Sequence, residues 1–354
     1  MSEELVMTME EAIPPENKMP GFKSVCLKLG LMMIIVFLTR AAASVVISLI
    51  QPMLEGFDET AAYLVDTLLS LLFLYAIPIT AALIIFKAPC KGMFGKIYKK
   101  PVFMGNAMGM FPAIYGLGIM TNLLTMWISS FFAETDLYDS FNTVNELTSP
   151  NMACAFILMF QLVVIAPIFE ELWFRGIVME SLRPYGNGFA ILVSALLFGL
   201  THGNLQQFFY ATVLGVCLGY IAINTRSIIV TTVMHAMFNS IAGFIMLFIS
   251  MDGVQKYMLS GGTEATDSPS VIAYMVFMFF VVILLLVGLI MAVVKLRKIR
   301  RYSVEKVWGE VSATRRWGIF FSRFTVIIMV ILAADTLTFR FIPTFVYKMI
   351  SGEL

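Results

Sequence analysis

Long apolar stretches separated by short polar segments make up most of this chain. A helix of about 20 residues crosses the roughly 30 Å of hydrocarbon in a bilayer, because each residue adds about 1.5 Å. Nine stretches approach or exceed that length and are predicted to be membrane helices: 24–50, 62–86, 102–133, 152–178, 188–201, 206–223, 227–250, 271–294 and 317–337. We therefore expect an all-α fold, a polytopic transmembrane helical bundle of about eight or nine spans.

The fifth and sixth of these stretches are short, and the polar turn Thr201–Asn204 joins them. Backbone that leaves the helical conformation at membrane depth is tolerated only where it is buried in protein or lines a cavity. We therefore interpret the pair as a broken or re-entrant segment beside a cavity, which returns the chain to the side from which it entered.

The composition agrees with a membrane protein, since 59% of the residues are hydrophobic, 13% are charged and the mean hydropathy is +0.88. Basic residues are concentrated after the second span and in 295–316, whereas acidic residues predominate in 55–59, 134–146 and 252–267. Positive loops stay in the cytoplasm, so the N-terminal tail 1–23 is predicted to be cytoplasmic and the C-terminus to lie outside. We expect a multi-pass protein of a bacterial cell membrane, whose basic segment contacts anionic lipid rather than nucleic acid.

Charged residues within a span are informative, because each costs at least about 2.5–3.5 kcal/mol at the helix centre unless it is paired or wetted. The segment Ile165–Arg175, with the sequence IAPIFEELWFR, holds Glu170, Glu171 and Arg175. Glu171 and Arg175 stand at i and i+4 with the acid first, so they share a helical face and are predicted to pair. Glu170 lies about 100° around the helix and therefore needs another partner.

The chain has only two histidines, His202 and His235, and both lie within or beside a span. A lone histidine in an apolar segment is often a packing residue, but two of them near an unpaired carboxylate indicate a site. His235 and Asn239 stand at i and i+4 and offer an imidazole and a carboxamide to one cavity. Glu170 and His235 are each predicted to lie about 12 Å below the cytoplasmic surface, so they can meet in one plane. His202 reaches the same depth if its short segment is tilted or re-entrant.

These groups can activate a water molecule in either of two ways. Without a metal, Glu170 is the general base, His202 helps to hold the water, and His235 with Asn239 donates hydrogen bonds to the developing oxyanion. With zinc, Glu170, His202 and His235 are the ligands, and the metal acidifies the bound water. The chain has no HExxH helix and its histidines lie on different segments, so the metal-free scheme is favoured and no cofactor is expected to be required.

Three motifs occur in a fixed order along the chain: EELWFR (EExxxR), Phe198–His202 (FxxxH) and His235–Asn239 (HxxxN). In this order they resemble the motifs of the CAAX protease and bacteriocin-processing (CPBP) family of intramembrane proteases. That family includes type II CAAX prenyl proteases and bacteriocin-processing or immunity proteins. The resemblance covers about residues 152–245.

The resemblance implies an all-helical membrane core whose cavity opens towards the cytoplasm. In that cavity Glu170 would activate water together with His202, and His235 with Asn239 would form the oxyanion site. The supporting motif residues would be Glu171, Arg175 and Phe198. Members of the family have been described both as glutamate proteases and as metalloproteases, so the resemblance leaves the choice between the two water-activation schemes open.

Four parts of the chain are predicted: a cytoplasmic tail (1–23), N-terminal transmembrane helices (24–151), a catalytic CPBP-like core (152–250), and C-terminal helices (251–354) that include the basic loop 295–316. The expected substrate is a peptide or a membrane-protein segment, lipidated or not, taken from the bilayer. The alternative from another class is a non-catalytic immunity or partner-binding protein, or a proton-coupled transporter that uses the same polar cluster.

Overall fold

The computed structural model describes residues 15–87, 100–132, 149–299 and 311–339, without the side chains of 15–19 and 295–299. Every regular element in these ranges is helical. The helices are α1 (Pro15–Leu54), α2 (Glu59–Ile85), α3 (Met104–Ser129), α4 (Met152–Tyr185), α5 (Asn187–Leu200), α6 (Leu205–Thr225), α7 (Ile228–Ile249), α8 (Asp252–Leu259), α9 (Pro269–Ile299), α10 (Ala313–Phe321) and α11 (Phe324–Ala334). The predicted all-α polytopic bundle is confirmed.

Seven of the described helices, namely α1 to α4, α6, α7 and α9, are long and apolar enough to cross a membrane, and α10 with α11 makes an eighth if that bent pair is one span. Helix α5 has 14 residues, so it extends about 21 Å and is shorter than the hydrocarbon layer. Its partner α6 has 21 residues and is long enough to cross. The fifth predicted stretch is therefore too short to cross the membrane, as expected, whereas the sixth is longer than expected and can cross it.

The last predicted span, 317–337, is not one straight helix, because α10 and α11 meet at 77°. Arg323 has an extended backbone at the break (φ −79°, ψ 131°), and its Nε donates a hydrogen bond to the Ile319 carbonyl at the end of α10. Helix α10 is amphipathic, with exposed Arg315 and buried Phe320, whereas α11 is apolar. The break separates a helix suited to the membrane surface from one suited to its interior.

Several predictions concern residues outside the described ranges. They include most of the basic segment after the second span (88–99), the acidic segment 133–148, much of the basic loop (300–310), and the two termini (1–14 and 340–354). The orientation of the chain and its division into four parts stay predictions.

Helices α2 and α4 each widen into a π-helix immediately before a proline. The π-segments are Leu72–Ala76 and Gln161–Ile165, and Pro78 and Pro167 follow them by two residues. A proline ring clashes with the carbonyl four residues earlier and donates no hydrogen bond, and a wider turn relieves the clash. The wider turn also changes which carbonyls are bonded within the helix, since the N–H of residue 166 donates to the residue 161 carbonyl.

The site described below lies where α1, α2, α5, α6 and α7 surround α4. Helices α5 and α6 pack closely, since a Cβ added at Gly215 of α6 would lie 2.9 Å from the Ala195 Cα of α5. Helix α1 packs on α4, where the indole Nε1 of Trp173 is 2.9 Å from the Met32 sulfur and both residues belong to the main apolar core. The aromatic face of α4 is thereby fixed against α1.

Candidate active site

Glu171 and Arg175 form the predicted ion pair, in which Oε1 of Glu171 lies 2.9 Å from Nη1 of Arg175. Their side chains are 0% and 1% exposed, so both charges are taken out of water and need each other. The guanidinium also donates from Nη2 to the Gly215 carbonyl at 3.4 Å, and its Cζ lies 4.7 Å from the centre of the Phe198 ring. The prediction of this pair is confirmed, and Phe198 of the FxxxH motif supports it through a cation–π contact.

Glu170 points away from that pair, as its position around the helix predicts. Its Oε1 accepts a 3.0 Å hydrogen bond from the Tyr75 hydroxyl of α2, and its Oε2 lies 3.6 Å from Nε2 of His235. The side chain is 15% exposed, whereas that of Glu171 is fully buried. Of the two adjacent carboxylates, Glu170 is therefore the one that a water molecule or a substrate can reach.

His235 lies between the two carboxylates and presents one ring nitrogen to each. Nδ1 lies 3.0 Å from Oε1 of Glu171, and a carboxylate oxygen accepts, so we assign the Nδ1 hydrogen as the donor in this bond. Nε2 then faces Oε2 of Glu170 at 3.6 Å, which is too long for a direct hydrogen bond. The sequence analysis did not predict the contact between Glu171 and His235, because 64 positions along the chain separate the two residues.

His202 lies in the turn after α5, and one of its ring nitrogens is already hydrogen-bonded. Its Nδ1 lies 2.9 Å from the Phe198 carbonyl, which can only accept, so Nδ1 carries the proton and Nε2 of the neutral ring is an acceptor. The Asn204 carboxamide closes the following turn, since Nδ2 donates to the His202 carbonyl and Oδ1 accepts from the Gln207 N–H to cap α6. The imidazole is therefore held at a fixed turn rather than on a loose loop.

Asn239 shares the α7 face of His235, as predicted, and both residues reach α4. The carboxamide Nδ2 of Asn239 donates a 2.9 Å hydrogen bond to the Leu162 carbonyl. Leu162 lies in the π-segment that precedes Pro167. In this structure the Asn239 amide thus ties α7 to α4, and its oxyanion role stays a prediction.

A cavity of about 160 Å³ lies beside Glu170. Its polar lining comes from four helices and the turn after α5: Arg40, Tyr75, Glu170, Thr201, His202 and Gln207. Its apolar lining is Val36, Leu74, Trp173 and Phe174. Of the predicted residues, the cavity brings Glu170 and His202 together, while His235 lies behind Glu170 and the amide of Asn239 is engaged with α4.

Sequence reasoning missed Arg40, Tyr75 and Gln207. Arg40 gave a usable signal, because it is a charged residue within an apolar span, the criterion that identified Glu170. Its Nη1 donates to the Thr201 carbonyl at 2.5 Å, which ties α1 to the turn that carries His202. Tyr75 and Gln207 carry no charge, so the same criterion gave no signal for either of them.

Gly203 allows this turn and the position of Arg40. It has φ +70°, and a Cβ added there would lie 2.8 Å from Cζ of Arg40. We expect Gly203→Ala to lower the free energy of unfolding in detergent micelles by more than the roughly 1–2 kcal/mol that a positive φ costs an alanine, because the guanidinium must also move. Gly261, with φ +64° and open space around it, is the matched control for backbone strain alone. Equal losses in Gly203→Ala and Gly261→Ala would contradict the packing argument.

The donor types of Glu170, His202 and His235 are ones that zinc accepts. Across residues 15–87, 100–132, 149–299 and 311–339, however, no three histidine, cysteine, aspartate or glutamate side chains are grouped so that they could hold a metal ion. The hydrogen bond from Nδ1 of His235 to Glu171 and the approach of its Nε2 to Glu170 would also suit a metal-binding histidine, so the zinc scheme stays a prediction beside the metal-free one.

Comparison with known proteins bears on the part of the chain that carries these groups. Residues 152–241 match the family model described as type II CAAX prenyl endopeptidase Rce1-like. The resemblance predicted from the three motifs is confirmed. This CAAX endopeptidase-like segment contains Glu170, His202, His235 and Asn239, but neither Arg40 nor Tyr75.

One relative is a protein of Bacillus subtilis (strain 168) named "Putative membrane peptidase YdiL". The two sequences are 28% identical over 102 residues, which is 28% of this chain and 40% of the relative. The chain therefore matches less than half of that protein's length. No solved structure matches this chain.

Proposed function

We propose that this protein is an intramembrane endopeptidase in which Glu170 activates a water molecule that attacks a peptide carbonyl. The observation that carries the proposal is the pairing of an accessible carboxylate with the acceptor nitrogen of His202 in one small cavity, which lies among helices of membrane-spanning length. Similarity of residues 152–241 to membrane endopeptidases supports it.

The Tyr75 hydroxyl already engages Oε1 of Glu170, so Oε2 is the atom proposed to act as the base. A water between Oε2 and Nε2 of His202 donates one hydrogen bond to each acceptor. As its oxygen bonds to the carbonyl carbon, one proton passes to Oε2 and the carbonyl oxygen gains the negative charge. The carbon–nitrogen bond then breaks, and Glu170 returns the proton to the departing amine. One water and one peptide bond yield one carboxylic acid and one amine.

We assign His235 to the oxyanion side of this reaction, as the family resemblance implies. Glu171 holds the proton on Nδ1, so a hydrogen bond from the ring to an oxyanion requires a second proton on Nε2. The ring must take up this proton from solvent before the substrate binds, because Glu170 has to be deprotonated to accept a proton from the attacking water. Glu171 would then stabilise the imidazolium, the role that a buried carboxylate has beside the histidine of a serine protease triad. Asn239 can join the oxyanion site with the N–H that Leu162 does not use.

The proposed substrate is a peptide or a membrane-protein segment, with or without a lipid anchor, that enters from the bilayer. Helices of membrane-spanning length surround the cavity, and a bound segment would exchange its contacts with lipid for contacts with the apolar lining. A panel of lipidated and unlipidated peptides in liposomes, followed by mass spectrometry of the products, tests this proposal and locates the bond that is cut.

In that assay we expect His202→Ala and His235→Ala each to lower kcat by about 100-fold or more, the usual contribution of a group that handles a proton in the transition state. Thr232→Ala is the matched control, because Thr232 lies one turn before His235 and its hydroxyl donates to the Ile228 carbonyl of its own helix. Full activity in either histidine variant would show that the replaced histidine takes no part in catalysis. No cleavage of any peptide by the wild-type protein favours the transporter or immunity alternative.

We propose the metal-free scheme over the zinc scheme, because Glu170 and His202 line one cavity, whereas no three potential ligands among the described residues are grouped so that they could hold a metal ion. Chelation of the purified protein, followed by measurement of its metal content and activity, separates the two. Retained activity in metal-free protein supports Glu170 as the sole activator of water. Activity that disappears with the metal and returns on addition of Zn²⁺ assigns Glu170, His202 and His235 as ligands instead.

A further inference from the structure

Tyr75 occupies a position that the family motifs do not cover. It lies on α2, outside the matched segment 152–241, and it lines the same cavity as Glu170. Resting on the proposed function, we propose that Tyr75 is a positioning residue whose hydroxyl holds the Glu170 carboxylate in the orientation that catalysis requires.

The contact between Tyr75 and α4 has two parts. The hydroxyl donates a 3.0 Å hydrogen bond to Oε1 of Glu170, and the ring lies against the Phe169 ring with centroids 5.8 Å apart. Two successive residues of α4 therefore bind one side chain of α2. A rotamer held both at its tip and along its ring can orient a partner precisely, as a supporting residue in an active site must.

The backbone of α2 is shaped for this contact. Tyr75 lies in the π-segment Leu72–Ala76, which Pro78 follows. A π-turn adds one residue to the helix and so rotates the side chains before it by about 100° relative to those after it. Pro78 thereby determines the helical face on which Tyr75 lies, and in this structure that face meets Glu170.

The hydrogen bond also makes the two oxygens of Glu170 unequal. Oε1 is occupied by Tyr75, whereas Oε2 lies 3.6 Å from Nε2 of His235. A glutamate side chain is long and its carboxylate rotates readily, so without Tyr75 both oxygens would exchange between these environments. Only the fraction of protein molecules with Glu170 in the productive rotamer would then react, which lowers the rate without changing the affinity for a peptide.

The variant Tyr75→Phe tests the hydroxyl alone, because it keeps the ring contact with Phe169. We expect kcat for peptide cleavage in liposomes to fall about tenfold or more, while KM stays within about twofold, since hydrogen bonds to charged groups are among the stronger ones. Tyr75→Leu, which also loses the ring, should be no more active than Tyr75→Phe. Tyr63→Phe is the matched control, because Tyr63 lies on α2 but does not line the cavity.

A second measurement reports on the contact without using activity. Free energies of unfolding in detergent micelles are measured for the wild type, Tyr75→Phe, Glu170→Ala and the double variant. We expect Tyr75→Phe to destabilise the wild-type background and to have little effect in the Glu170→Ala background. Strictly additive effects would overturn the contact and with it the proposal.

The two measurements separate failure of this proposal from failure of the proposed function. Cleavage by the wild type with unchanged kcat in Tyr75→Phe overturns the role of Tyr75 and leaves the peptidase intact. A rise in KM without a fall in kcat also overturns it, because Tyr75 would then bind substrate rather than orient Glu170. If the unfolding free energies are coupled but the protein cleaves no peptide, the contact between Tyr75 and Glu170 is supported. The peptidase assignment and the catalytic role of Tyr75 are then both overturned.

Discussion

Glu170→Gln is expected to lower kcat for peptide hydrolysis by about 10²- to 10⁴-fold, the contribution that general-base catalysis usually makes. An amide has nearly the shape of the carboxylate and can still accept the Tyr75 hydrogen bond, but it cannot take a proton from water. Glu170 is also partly exposed to the cavity and makes no ion pair with Arg175, so the protein should remain folded. The measurement is kcat in liposomes, at matched protein levels and with unfolding followed in parallel.

The control for Glu170→Gln is Glu180→Gln on the same helix. Glu180 pairs with Arg183 at 2.7 Å, and both side chains are about one quarter exposed (26% and 28%), away from the cavity. This variant removes the same charge but should keep kcat within about twofold of the wild type, because it touches no reacting group. Activity in Glu170→Gln that matches Glu180→Gln would end the assignment of Glu170 as the base.

Glu171→Gln is expected to have the largest effect on stability, a loss of about 3–5 kcal/mol in the free energy of unfolding. The substitution leaves the fully buried Arg175 guanidinium without its counter-charge, and it weakens the acceptor for Nδ1 of His235. Reversible unfolding in mixed micelles measures the loss. Glu180→Gln is again the control, since a partly exposed ion pair contributes about 1 kcal/mol or less.

A double variant sharpens that prediction. Replacing Glu171 and Arg175 together with leucine and methionine removes both buried charges, and such replacements are often neutral or stabilising. We expect the double variant to be more stable than Glu171→Gln, although His235 loses its partner. A double variant that is less stable than Glu171→Gln would show that the pair itself stabilises the fold, and would contradict the account in which the penalty comes from an uncompensated charge.

The residues of the candidate site differ in how far the sequence could predict them. Glu171 and Arg175 are four residues apart, and helical geometry alone places them on one face, so their pairing was predictable and is confirmed. Polar residues at membrane depth identified Glu170 and His235 for a similar reason, because such residues are costly without partners. The 77° bend between α10 and α11 was not predicted, since the predicted span 317–337 is apolar on both sides of Ser322 and Arg323.

Contacts between distant segments could not be predicted in the same way. Tyr75 bonds to Glu170 across 95 positions, Asn239 to Leu162 across 77, and Arg40 to Thr201 across 161. Side-chain shape and helix packing select these partners, and neither leaves a periodic signal in the sequence. The Asn239 contact depends further on a π-turn, which places the Leu162 carbonyl within reach.

By itself, the sequence determined that this protein is a bundle of membrane helices and that Glu171 pairs with Arg175, and it predicted Glu170, two histidines and an asparagine as the chemically active groups. These conclusions follow from helical periodicity and from the free energy of placing polar groups in lipid, both of which act locally along the chain. The tertiary structure alone decided that Tyr75 binds Glu170, that His235 lies between the two glutamates, and that Arg40 reaches the His202 turn. Those contacts depend on which helices pack side by side, and packing is a property of the whole bundle.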